Sequence, residues 1–146
     1  MIDETFTAYD IRGKITEGVS LEVAWNIGKA LADWLSTYGV VAIGRTAAAN
    51  ESLTHALVEG MTLQGRDVLD AGITDKLTLL GHIKKEGLSG AVFVTHDEQT
   101  DVSVIELFDE NGQLISAENG LSAIAELVHA GNFVPAATKG EVTALA

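Results

Sequence analysis

Short apolar runs alternate with capped, stripe-bearing helical segments along most of this chain, and that alternation restricts it to a layered α/β architecture. Ser20 can cap a helix over 21–35, where Leu21, Ala24, Gly28, Leu31 and Leu35 form one stripe and Trp25, Ile27 and Trp34 widen it. The two tryptophans fall at nearly opposite azimuths, so one is expected in the core and the other at the surface. Gly39 stops this helix, and Val40-Val41-Ala42-Ile43 reads as a short buried strand. Asn50 can cap a second helix over 51–64, with Leu53, Ala56, Leu57, Gly60 and Met61 inward and Gly65 as its end. Asp67-Val68-Leu69-Asp70 is the next strand, closed by Ala71-Gly72. Asp75 can cap a third helix over 76–86, ended by Gly87, and Ala91-Val92-Phe93-Val94 is a third apolar strand. A further strand over 101–108 runs into the turn Asp109-Glu110-Asn111-Gly112, which leads to Gln113-Leu114-Ile115. A fourth helix over 117–130 needs an apolar partner for Leu121, Ile124, Ala125 and Val128.

Helical connections of this length make parallel strands right-handedly, so the middle of the sheet is expected to be parallel. The step from Val94 to Asp101 is too short for such a crossover and requires an antiparallel partner. The expected fold is a three-layer α/β/α sandwich with a mixed, mostly parallel sheet. Residues 1–135 read as one domain and 136–146 as a weakly patterned, mobile tail.

The chain has 146 residues and a formal net charge of −12, from 21 acidic and 9 basic side chains. Such a surface repels phosphate backbones, so no nucleic-acid partner is expected, and it is a poor general attractor of sugar phosphates. Cysteine is absent, which removes disulfides, thiolate catalysis and cysteine-based zinc sites. The start Met1-Ile2-Asp3-Glu4 lacks a basic n-region and an apolar h-region, and no apolar run is long enough to span a bilayer. The expectation is a cytoplasmic protein with no membrane partner.

Several motifs, in order and at consistent spacing, resemble the first domain of the α-D-phosphohexomutases, the phosphomannomutases and phosphoglucomutases. They are Tyr9-Asp10-Ile11-Arg12-Gly13, Ile27-Gly28-Lys29-Ala30-Leu31, Gly44-Arg45, Leu57-Val58-Glu59-Gly60-Met61, Gln64-Gly65-Arg66-Asp67-Val68-Leu69-Asp70-Ala71-Gly72 and Gly90-Ala91-Val92-Phe93-Val94-Thr95. The resemblance implies the α/β/α fold and a phosphoserine that exchanges its phosphoryl group with a hexose phosphate. That chemistry needs a nucleophilic hydroxyl, magnesium and acid/base help.

Those requirements are not met by the matching residues. The resemblance implies a T-A-S-H-N-P loop with the reactive serine, whereas here Thr95 is followed by His96, Asp97 and Glu98. It implies a lysine in N-G-x-K-L-F, and Glu106 occupies that place. G-R-D-x-R becomes Gly44-Arg45-Thr46-Ala47-Ala48, which loses the aspartate and the second arginine. The magnesium loop D-G-D-G-D-R and the sugar-binding loops belong to three further domains, so no cofactor is expected in this chain. Asp97, Glu98, Asp101 and Glu106 would repel a phosphate, since two like charges ~4 Å apart cost about 1 kcal/mol in water and several more when partly buried.

No catalytic residue is therefore expected. Tyr9, Arg12 and Arg45 are candidates for a vestigial phosphosugar contact. His96, Asp97 and Asp101 are weak candidates for a hard cation, against a solvated acidic turn. Thr95, Thr100 and Ser103 are the remaining hydroxyls near the altered loop, and capping or turn roles are expected for them. His55, His82 and His129 show no ligand spacing and are expected at the surface or its boundary. The expected function is a truncated, non-catalytic phosphohexomutase-like domain that binds or assembles, as a homo-oligomer or with another polypeptide. The alternative is one component of a split mutase acting on hexose phosphates.

Overall fold

A computed structural model describes residues 4–145. The elements run β1 (Ile11–Gly13), α1 (Leu21–Trp34), β2 (Val41–Arg45), α2 (Glu51–Leu63), β3 (Val68–Ile73), α3 (Lys76–Glu86), β4 (Gly90–Asp97), β5 (Val102–Phe108), α4 (Ser122–Ala130) and β6 (Val142–Ala144). They form one sheet in the order β1-β5-β4-β2-β3-β6. β2, β3, β4 and β6 are mutually parallel, while β5 runs antiparallel to both β4 and β1. The mixed sheet follows from the hairpin between β4 and β5, which leaves no room for a crossover.

Local chemistry starts the helices where the sequence indicates. The side chains of Ser20, Asn50 and Asp75 accept from the amides of Val23, Leu53 and Thr78, each such cap contributing about 1 kcal/mol. Gly87 and Gly131 close α3 and α4 in the left-handed region, at φ 65° and 66°. α4 is preceded by a wider π-type turn, Ala117–Leu121, where the helix expected from 117 is interrupted at Gly120. A β-carbon there would strike the Trp34 indole.

Alternation along the strands divides the core into two layers. Val41, Ile43, Val92, Val94, Ile105 and Leu107 face α1, α2 and α4. Ala42, Ala91, Phe93 and Phe108 face Leu79 and Ile83 of α3 and Leu88 just beyond it. α1 and α2 meet at two glycines: a β-carbon on Gly28 would collide with the Leu57 carbonyl, and one on Gly60 with that of Trp25. Trp25 and Trp34 are both half-buried, so the expected split into one core and one surface tryptophan does not occur.

Arg66 is a buried structural cation. It donates to the carbonyls of Ala32, Leu35, Thr37 and Gly39 at 2.6–3.2 Å. These groups end and follow α1, whose last turn has no basic residue of its own.

The tail is a correction. Ala136 and Gly140 donate to the carbonyls of Leu63 and Thr62 at 3.0 and 2.8 Å, and Val142–Ala144 pairs in parallel with β3. Pairing at a sheet edge uses backbone groups, and the three β6 residues are exposed, so no side-chain periodicity announces the strand. β1 is also only three residues long, too short to show an alternation in the sequence. Residues 113–115 form only an isolated bridge, Leu114 to Phe108, not a strand.

Candidate functional site

Ligand sites of open α/β sheets lie at the carboxyl ends of the parallel strands. Here that edge comprises Arg45 and Thr46 at the end of β2, Thr74 and Asp75 after β3, and the β4–β5 turn. The segment expected to hold a reactive serine is a tight hairpin turn over 98–101, with Asp97 opposite Val102. Asp97 accepts from the Gln99 amide at 3.0 Å. That bond and the Thr100 hydroxyl hold its carboxyl below the ordinary value. Asp101 closes the turn at φ 59°, a left-handed conformation that aspartate tolerates.

One hydrogen-bonded row crosses the hairpin. His96 Nε2 lies 3.1 Å from Asp101 Oδ1, and His96 Nδ1 lies 3.0 Å from Ser103 Oγ. With the proton on Nε2, facing the carboxylate, Nδ1 is left to accept from the serine hydroxyl. A carboxylate, an imidazole and a hydroxyl in series is the order that activates a nucleophile. Ser103 is only 1% exposed, however, so its oxygen is closed off from solvent. The pairing is of His96 with its register partner Ser103, not with the adjacent Thr95.

The second cluster lies on the other face. Ile11 and Ile105 point to the α1/α2/α4 layer, so Arg12 and Glu106 point toward α3. Arg12 binds Asp10 through Nη2 at 2.6 Å and Nε at 3.0 Å. Glu106 binds Lys76 Nζ, at the start of α3, at 2.8 Å. Burial alone would raise the Asp10 carboxyl. Hydrogen bonds from Arg12 and Thr7, with the charges of Arg12 and Lys76, hold it below its ordinary value.

Tyr9, Arg12 and Arg45 do not converge. Tyr9 is 67% exposed, in the segment that precedes β1. Arg45 projects toward α2, where it meets Glu51 at 3.5 Å. β5 and β4 separate β1 from β2, three strand steps or about 14 Å. Nor do His96, Asp97 and Asp101 gather round one point. No group of three His, Asp or Glu side chains suited to a metal occurs among the described residues, so the residues present do not fit magnesium. His55 and His129 are exposed and His82 is half-buried.

Residues 3–134 match the family described as phosphoglucomutase/phosphomannomutase, alpha/beta/alpha domain I. The chain belongs to this family. It is 34% identical over 131 residues to a phosphomannomutase of Salmonella typhimurium, covering 89% of this chain and 29% of that protein. It is 33% identical over 115 residues to a probable phosphoglucosamine mutase of Methanopyrus kandleri, covering 77% of this chain and 25% of the relative. The chain thus spans about three-tenths of the length of the first of these relatives. A phosphoglucomutase/phosphomannomutase family protein from Burkholderia thailandensis superposes with a TM-score of 0.79 at 23% identity, over 99% of this chain and 33% of that one. A putative phosphomannomutase from Thermus thermophilus gives 0.78 at 20% identity, over 96% and 32%. These likenesses establish the fold.

Within this phosphohexomutase domain, sequence reasoning did not reach the roles of Ser103, Lys76 and Arg66. The first was recoverable, because a turn between Asp97 and Val102 places His96 opposite Ser103. Lys76 had no such signal, since its pairing with Glu106 depends on how α3 packs on that face of the sheet. No described helix is long and apolar enough to cross a membrane.

Proposed function

We propose that this phosphoglucomutase/phosphomannomutase domain I does not transfer phosphoryl groups itself. It serves as a cytoplasmic binding or assembly module, in a homo-oligomer or with another polypeptide. The observation that carries the proposal is the hairpin. It presents Asp97, Glu98 and Asp101 to solvent, and its serine, Ser103, is buried. Phosphoryl transfer needs an accessible hydroxyl and cationic stabilisation of the moving group. The cations nearest this edge are each engaged by a carboxylate: Arg12 by Asp10, Arg45 by Glu51, Lys76 by Glu106.

A coupled assay of glucose 1-phosphate to glucose 6-phosphate with the purified chain tests this reading. No turnover above buffer is expected, and sustained turnover overturns it. One feature favours a second reading, a split-mutase component that contacts hexose phosphate weakly. Tyr9 and the Arg12 guanidinium remain accessible, the arginine side chain being 51% exposed. Chemical-shift changes at Tyr9 and Arg12 on adding glucose 1,6-bisphosphate would support that reading, and a flat titration removes it.

A further inference from the structure

Between α1 and α2, beside Arg45 at the sheet edge, lies an open groove of about 750 Å³. Leu21, Trp25 and Ala56 give it an apolar lining, and Glu22, Glu51 and Glu59 rim it. Leu21 is 44% exposed, and the Trp25 indole is half-buried. The indole already carries one ammonium group: Lys29 Nζ sits 3.2 Å from its centroid.

The rim charges differ in their partners. Glu51 reaches Arg45 at 3.5 Å, and Glu59 lies 3.9 Å from His55, which is charged only when protonated. Among the described residues neither Glu22 nor Glu59 pairs with a lysine or arginine. Glu22 and Glu51 also complement the positive ends of their helices, in the first turns of α1 and α2. Glu59 stands deeper in α2 and has no such role.

Charge selects the occupant. A second copy would bring a chain of net charge −12 against acidic groups like its own. We infer that this groove docks a basic amphipathic segment of a different polypeptide, its apolar side on Leu21, Trp25 and Ala56 and its lysines or arginines on Glu22 and Glu59. The inference rests on the binding-module reading and names the chemistry of the partner.

The probe is an amphipathic Leu/Lys peptide, with a Leu/Glu peptide of the same pattern as control. Binding to the full chain is read by calorimetry, and by tryptophan fluorescence in a Trp34→Phe background that leaves Trp25 as reporter. Saturable binding of the Leu/Lys peptide alone is expected, weakened about 10-fold or more by Glu22→Lys with Glu59→Lys. Both substitutions are at exposed positions, and circular dichroism verifies the fold. Equal binding to the substituted chain, or none to the native one, overturns the inference. So does a native dimer, seen by light scattering, that Leu21→Asp converts to monomer, because the groove then belongs to a second copy. Turnover in the sugar-phosphate assay would instead overturn only the non-catalytic reading.

Discussion

Glu106 of β5 and Lys76 of α3 form a 2.8 Å ion pair across the sheet face that also carries Arg12. The resemblance places a lysine at position 106, so the charge on the strand is inverted and answered from the helix. Glu106→Lys sets a lysine against Lys76 and beside Arg12. It should cost about 1 kcal/mol, a fall of about 3 °C in Tm, and restore no turnover. The swap Glu106→Lys with Lys76→Glu should recover most of the loss. Thermal denaturation of the double-mutant cycle measures this, and additive losses would show that the pair is not coupled.

Asp10 makes stability depend on acid pH. Its folded pKa is depressed below the ordinary 3.8, so its contribution is complete above that value and is lost as pH falls through the lower folded value. Asp10→Asn should destabilise the chain at pH 7 and flatten the stability profile below about pH 4. Urea denaturation at a series of pH values reads both effects. An unchanged acid slope would refute the assignment.

Arg66 satisfies four carbonyls at and beyond the end of α1 with one rigid fork of donors. Arg66→Met leaves those oxygens under-satisfied and should cost about 3 kcal/mol, or about 10 °C in Tm. Arg66→Lys should recover little, because one ammonium cannot reach all four. Calorimetric melting that ranks Lys close to Arg would contradict this account.

Ser103 is tied to His96 and withdrawn from solvent. Incubation with glucose 1,6-bisphosphate should therefore leave the mass of the chain unchanged. Ser103→Ala should cost only about 1 kcal/mol, through loss of the His96 contact. A mass gain of one phosphoryl group that disappears in Ser103→Ala would mean that the hairpin opens to substrate.

Helix caps, glycine stops and strand parity were legible because they are local. α3 begins and ends where Asp75 and Gly87 indicate, and each core residue of β4 falls on the face its parity assigns. The residue types of the hairpin, Thr95 followed by His96, Asp97 and Glu98, were legible too, since a residue type is read directly. The partners of the altered residues were not. Thr95 and His96 are neighbours in sequence, yet the antiparallel register gives His96 to Ser103.

By itself, the order of apolar runs, caps and glycines determined a layered α/β domain of this family and the acidic character of the turn that follows β4. These are consequences of backbone propensity and side-chain chemistry within a few residues. Tertiary structure alone decided that Arg12 and Arg45 stand on opposite faces, that Lys76 answers Glu106, and that the tail supplies an edge strand. Each depends on strand order and on backbone hydrogen bonds between distant segments, which leave no periodicity in the side chains.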